Sequence, residues 1–205
     1  MTALLLIGGG GHCRAVIDVI ETCTDFSVRG IVRPQQEGEK AVLGYPVLGD
    51  DAALSTLLHK TPHALVTVGQ IKTATLRRRL YEQLRNLNAR LPVIVSPKAY
   101  VSRHAEIAEG SIVLHGAVVN ATAQVGVNAI INTMALLEHD VVVGAHCHIA
   151  TGARVNGGVC IGDHCFIGSG AIIHQGVRIG DDCVIAAGAV VDGDVPAGTL
   201  LRRRT

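Results

Sequence analysis

Aromatic residues are nearly missing from this 205-residue chain: tryptophan is absent, and Tyr and Phe together supply only 2%. Hydrophobic residues still reach 48%, so a large core must be filled by Ile, Val, Leu and Ala. That excludes ordinary aromatic-anchored packing and favours a thin, regular one. Charge excess is also missing. The formal net charge is +1, which predicts no field for nucleic acid or a membrane surface. The basic groups at 76–79 and 202–204 are local, and each suits a solvated helix face or tail. Long apolar runs are lacking too. "MTALLLIGGGG" has no basic leader, and its run of five apolar residues is far short of a signal core or membrane span. The six cysteines form no CxxC pair, so reduced thiols in a cytoplasmic protein are expected.

What is present falls into two parts, residues 1–90 and 91–205. The first alternates strand and helix signals. "ALLLI" is a buried-strand run, and "GGGGHCRAVIDVIE" is a glycine turn opening a helix with Ala15, Val16, Val19 and Ile20 on one face. "SVRGIV" and "HALVTVG" read as strands. "DDAALSTLLHK", capped by Asp50, and "TATLRRRLYEQLRNLN" read as helices. The alternation predicts a small Rossmann-like α/β domain with a parallel sheet.

From Val95 to Val191 the period becomes six. Seventeen aliphatic residues follow one another at that spacing without a gap, and four residues after each comes a small one such as Ala117, Cys147 or Val159. Period six fits neither a helix nor an ordinary strand. It is the signature of a parallel β-helix of hexapeptide repeats, with three short strands to each 18-residue coil and coils stacked at ~4.8 Å. Cys147, Cys165 and Cys183, spaced by 18, then line one inward face as compact apolar filler.

Within the repeat, "LLEHDVVVGAHCHIA" stands out. Leu137 is a core position, so Glu138, His139 and Asp140 turn the next corner and point outward. One coil away lie Asn120, Ala121 and Thr122 on one side and Asn156, Gly157 and Gly158 on the other. His139 therefore stands between two small residues. Histidine is the natural base near neutral pH, and a neighbouring carboxylate can orient its second ring nitrogen. Asp140 is favoured for that task and Glu138 is the alternative. Gly157 permits close backbone approach, and its N–H can face a carbonyl oxygen. His146 and His164 stack at outward corners with no assigned role. No two of the ten histidines are five residues apart, so the His-x4-His pair of hexapeptide carbonic anhydrases is missing and no metal is expected. A non-catalytic scaffold on the same repeat is the rival reading, and it predicts indifference to loss of His139.

The glycine-histidine turn at Gly8, Gly9, Gly10, Gly11 and His12, followed by a hexapeptide helix carrying "INT…EHD…H", resembles the NeuD/PglD-type bacterial sugar acetyltransferases over nearly the whole chain. The resemblance implies a left-handed β-helix, acetyl-CoA as cosubstrate and a homotrimer. It also implies N-acetylation of a UDP- or dTDP-linked amino sugar used in surface glycan or glycoprotein synthesis, with O-acetylation of sialic acid or another sugar hydroxyl as the alternative. His139 becomes the general base with the acid after it as orienter, and His148 a donor beside the acetyl-CoA thioester. Asn132 becomes a substrate contact, and the glycine turn a cradle for the nucleotide-sugar pyrophosphate, as backbone N–H groups at a helix start favour anions. As a GxGxxG pattern that turn is incomplete, since Cys13 holds the third glycine position. Arg33 and Pro34, in "GIVRPQQ", stand where UDP-sugar binders tend to be acidic, and Gly69-Gln70 follows the third strand where Asn or Asp is usual. Arg77 matches a family arginine. The last arginines either meet CoA phosphates or form a tail.

Overall fold

The computed structural model describes residues 1–23, 25–34 and 40–202. Gln35 and Gln36 of the "GIVRPQQ" stretch and Arg203 and Arg204 of the basic tail lie outside the described residues. The chain divides into two compact units: Met1–Gly69 with Leu76–Pro92, and Gln70–Thr75 with Val93–Thr205. The short segment after Gly69 thus belongs with the repeats rather than with the strand it follows.

The first unit is a five-stranded sheet. Its elements are β1 (Thr2–Ile7), α1 (Gly11–Thr22), β2 (Phe26–Val32), β3 (Ala41–Val42), β4 (Tyr45–Gly49), α2 (Leu54–Lys60), β5 (His63–Val66) and α3 (Thr75–Asn86). The sheet order is β3-β4-β2-β1-β5, parallel except for the β3–β4 pair. Leu4, Leu5, Leu6 and Ile7 are buried to within 1% because β1 is covered on both faces. The buried face of α1 is Cys13, Val16, Ile17, Val19 and Ile20. Ala15, expected there, is exposed, because the i, i+3, i+4, i+7 stripe starts at Cys13. Asp50 caps as expected, its carboxylate accepting from Ala52 N–H at 3.1 Å, but it caps a short 3-10 turn before α2. Strands β3 and β4 were not foreseen. Their hairpin turns on Leu43 and Gly44, both at positive φ, and leucine is an unusual residue there. The sheet reverses direction at β1, with β2 on one side and β5 on the other. The crevice outside its carboxyl end is therefore a switch point, the place where open α/β sheets bind ligands.

The second unit is a parallel β-helix. Its strands are two residues long and pair in register with those 18 residues away: Val119 with Leu137, Leu137 with Val155. They form three sheets of seven, six and five strands. The core runs from Val113 to Val195, and the aliphatic and small repeat positions alternate in it as the sequence requires. Val95, expected to open that row, is 36% exposed, because the first strand has a coil on one side only. Each core aliphatic removed from water contributes about 1.5–3 kcal/mol. Cys147, Cys165 and Cys183 are free, fully buried thiols in this stack.

The corners share one conformation. From Gly110 to Gly188 every sixth residue has φ between 53° and 74°, the left-handed region. Gly occupies many of these places, and Asn128, Asp140, His146, His164 and Asp182 occupy others. Asn, Asp and His tolerate this region better than other residues with a side chain.

Candidate active site

His139 sits at a corner between the six-stranded and five-stranded sheets, after the strand Leu136–Leu137. Main-chain bonds to both neighbouring coils fix its height: Glu138 N–H donates to Val155 O, Asp140 N–H to Ala121 O, and Gly158 N–H to His139 O, at 2.9–3.1 Å. Asp140 carries the left-handed turn, with φ 60°. That turn swings its carboxylate back onto the preceding residue, and Oδ2 meets His139 Nδ1 at 2.8 Å. The hydroxyl of Thr122, one coil earlier, donates to Asp140 Oδ1 at 2.5 Å. The acid next to Nδ1 is therefore Asp140. Glu138 is held elsewhere, its Oε2 accepting from Asn120 Nδ2 at 3.0 Å and from His139 N–H at 3.3 Å.

Electrostatics follow from these contacts. The bond to Asp140 raises the His139 pKa above its ordinary value, with smaller support from the charges of Asp140 and Glu138. The Thr122 hydroxyl, then the imidazole, holds the Asp140 carboxyl below the usual range. With Nδ1 engaged by a carboxylate, Nε2 is the nitrogen that accepts a proton from outside.

Nε2 faces Gly157. A Cβ built there would stand 2.6 Å from Nε2 and 2.7 Å from Cε1, so only glycine leaves the imidazole in place. The N–H of Gly157 donates to no described residue. An open groove of about 520 Å³ lies at this corner, lined by Glu138, His139, Asn156, Gly157, His174 and Gln175. Asn120 and Thr122 are supports that sequence reasoning placed beside the corner without giving them a task. The 18-residue spacing was the available signal.

Asn132 and His148 are not brought to this corner within one chain. Asn132 follows a strand of the seven-stranded sheet, and His148 lies on that sheet. They meet each other instead. Asn132 Nδ2 approaches His148 Nε2 at 2.9 Å, and His148 Nδ1 reaches the Gln70 carbonyl at 2.8 Å. A carbonyl can only accept, so Nδ1 carries the proton and Nε2 accepts from Asn132. Both ring nitrogens of His148 thus face partners within the chain, and the ring is 8% exposed with its edge against Phe166. Gln70 is fixed in turn, its Nε2 donating to the carbonyls of His164 and Cys165. His146 and His164 do stack, at 5.6 Å, but His146 is buried rather than outward because Asn128 and His164 cover it. Among the described residues, no group of three or more His, Cys, Asp and Glu side chains is placed to hold a metal ion.

In the first unit, Gly8 to His12 lie at the switch point. Gly8 has φ 112°, and a Cβ there would meet Val68 Cγ2 at 2.6 Å, so this turn requires glycine. A Cβ on Gly9 would meet Arg33 Cδ at 2.5 Å, so the arginine chain lies across the turn. Gly10 caps α1 without a side-chain bond, and the space at Gly10 and Gly11 is open. His12 is half-buried in the first helical turn. Arg77 is fully buried and donates to the Val68 carbonyl at 2.6 Å, which braces the segment after β5.

A carboxylate-oriented histidine above a glycine gap, on a left-handed parallel β-helix of hexapeptides, defines a hexapeptide-repeat acyltransferase. Family models sharpen this: one described as the PglD N-terminal domain matches residues 3–84, and one described as the hexapeptide repeat of succinyl-transferase matches residues 158–192. PerB from Caulobacter crescentus, solved in complex with CoA and GDP-perosamine, is 37% identical, with a TM-score of 0.90 over 98% of this chain and 93% of that one. The acetyltransferase domain of PglB from Neisseria gonorrhoeae FA1090 is 33% identical, with a TM-score of 0.88 over 97% of this chain and 95% of that one. WeeI from Acinetobacter baumannii AYE shares the fold at 24% identity and a TM-score of 0.75, over 97% of this chain and 95% of that one. No curated protein matches the chain in sequence. The chain belongs to the NeuD/PglD-type family of sugar acetyltransferases.

Proposed function

We propose that the protein transfers an acetyl group from acetyl-CoA to the amino group of a nucleotide-activated amino sugar, with His139 as general base. The observation that carries this reading is the His139–Asp140 pair with Nε2 aimed over Gly157. The neutral acceptor amine attacks the thioester carbonyl carbon and forms the C–N bond. His139 Nε2 takes the proton that nitrogen sheds, while Asp140 stabilises the imidazolium. The tetrahedral intermediate breaks its C–S bond, and the departing thiolate takes the proton. In this reading the N–H of Gly157, which donates to no described residue, supports the developing oxyanion.

GDP replaces UDP or dTDP as the favoured nucleotide, because PerB was solved with GDP-perosamine and Arg33 stands where UDP-sugar binders tend to be acidic. The glycine turn at Gly8 to His12 is its proposed seat. A homotrimer in which a second copy adds a wall to the open groove accommodates the separation of Asn132 and His148 from His139. The cytoplasm, where acetyl-CoA and nucleotide sugars meet, suits six free thiols. No described helix is long and apolar enough to cross a membrane.

The test is thiol release from acetyl-CoA against GDP-, UDP- and dTDP-linked amino sugars, with sialic acid included. Release with the GDP-linked amine is expected. Release with sialic acid and with none of the amines would overturn the reading.

A further inference from the structure

The geometry points to Thr122 as the residue that holds the Asp140 carboxylate on the His139 ring, a proposal that rests on the acetyltransferase reading above. Among the described residues with left-handed φ, Thr122, at 61°, is the one β-branched side chain. A branched Cβ crowds the backbone there, and glycine, asparagine or aspartate would turn this corner more easily. Strain of this kind persists where the surrounding structure makes use of it. Thr122 stands one coil, 18 residues, before Asp140, so the two left-handed corners stack. Ala121 O accepts from Asp140 N–H at 3.1 Å and sets their spacing. Thr122 Oγ1 then lies 2.5 Å from Asp140 Oδ1, while Oδ2 meets His139 Nδ1 at 2.8 Å.

The hydroxyl has one proton and two acceptors in reach, because Ala121 O is also 2.5 Å from Oγ1. The charged carboxylate makes the stronger bond, and the carbonyl already accepts from Asp140 N–H. The corner one coil after Asp140 is Gly158, which brings no side chain to the carboxylate. The side chains of His139 and Asp140 are both more than half exposed, so water competes for the carboxylate oxygens. Without a partner on Oδ1, the carboxyl group turns about its Cβ–Cγ bond and shares both oxygens with solvent. With Thr122 on Oδ1, Oδ2 stays on Nδ1. The same hydroxyl is the foremost cause that holds the Asp140 carboxyl below the usual range, which keeps it ionised. The neutral ring then carries its proton on Nδ1 and leaves the Nε2 lone pair for the acceptor. Aspartate, an easier residue for the turn, would set a second negative charge against Asp140. Thr122 does not reach the ring. It acts through Asp140 and is a positioning residue.

The experiment compares Thr122→Gly, Thr122→Ser and Asp140→Ala in the full chain. Glycine removes the hydroxyl and suits the left-handed corner, so the melting temperature of Thr122→Gly is expected to equal or exceed that of the wild type. With acetyl-CoA and the GDP-linked amino sugar, Thr122→Gly should lower kcat about ten-fold, the usual worth of a hydrogen bond to a charged group, and leave both KM values unchanged. Serine keeps the hydroxyl and should return kcat to the wild-type range. In the Asp140→Ala background no carboxylate remains to be held, and Thr122→Gly should have no further effect, a non-additivity that a contact made elsewhere does not produce. Nitrogen NMR shifts of the His139 ring, taken in the free protein above the pKa of that ring, give a reading that needs no substrate. The proton is expected on Nδ1 in the wild type and in Thr122→Ser, and largely on Nε2 in Thr122→Gly. A Thr122→Gly ring that keeps its proton on Nδ1, a wild-type kcat in that variant, or a loss that persists in full beside Asp140→Ala refutes the role of Thr122 and leaves the transferase reading intact. A wild type that turns over no amino sugar refutes the transferase reading itself, and the ring shifts then decide the role of Thr122 alone.

Discussion

Substituting Gly157 by alanine probes the site through one methyl group. The added Cβ would stand 2.6 Å from His139 Nε2 and 2.7 Å from Cε1, closer than real Cβ contacts come. Gly157 does not carry positive φ, so its backbone accepts alanine without strain. The corner bonds around it, from Gly158 N–H to His139 O and from Gly176 N–H to Gly157 O, are main-chain bonds that the substitution leaves alone. The imidazole must therefore move, while the fold need not. Rotating the ring away breaks its 2.8 Å bond to Asp140 and withdraws Nε2 from the place where the amine must lie. Displacing a catalytic group by about 1 Å costs roughly 100-fold, and losing general-base catalysis altogether about 100- to 10,000-fold. The expected loss in kcat/KM is thus on the order of 3–5 kcal/mol of transition-state stabilisation. Thiol release at saturating acetyl-CoA measures it, and a thermal melt checks the fold. A Gly157→Ala enzyme with an unchanged melting temperature and near-normal turnover would refute the placement of the base.

Asp140→Asn should lower turnover and shift the pH profile. Asp140 raises the His139 pKa and the active base is the neutral imidazole, so removing the charge lowers that pKa and moves the acidic limb of the rate profile to lower pH; a limb that stays in place would disconnect the two residues. Ile149→Ala removes a fully buried repeat position and should destabilise the β-helix by about 2–5 kcal/mol in denaturant unfolding, with little effect on the first unit.

How much of this was readable from the residues depends on the kind of information. Period six exposes the β-helix because each coil repeats one packing problem. Its 18-residue coil then places Gly157 beside His139 with no further knowledge. The choice between Glu138 and Asp140 is not in the pattern, since both adjoin the histidine; a left-handed φ at Asp140 decides it. The contact of His148 with the carbonyl of Gln70 joins residues 78 apart, which no local spacing could indicate. Strands β3 and β4 were missed because Leu43 takes a turn position that Asn or Asp would have advertised.

The claim that this corner performs acetyl transfer is tested most directly by His139→Ala, measured for acetyl-CoA binding and for thiol release with the GDP-linked amino sugar. The account predicts unchanged acetyl-CoA affinity and turnover reduced about 100-fold or more. Turnover equal to that of the wild type would contradict it.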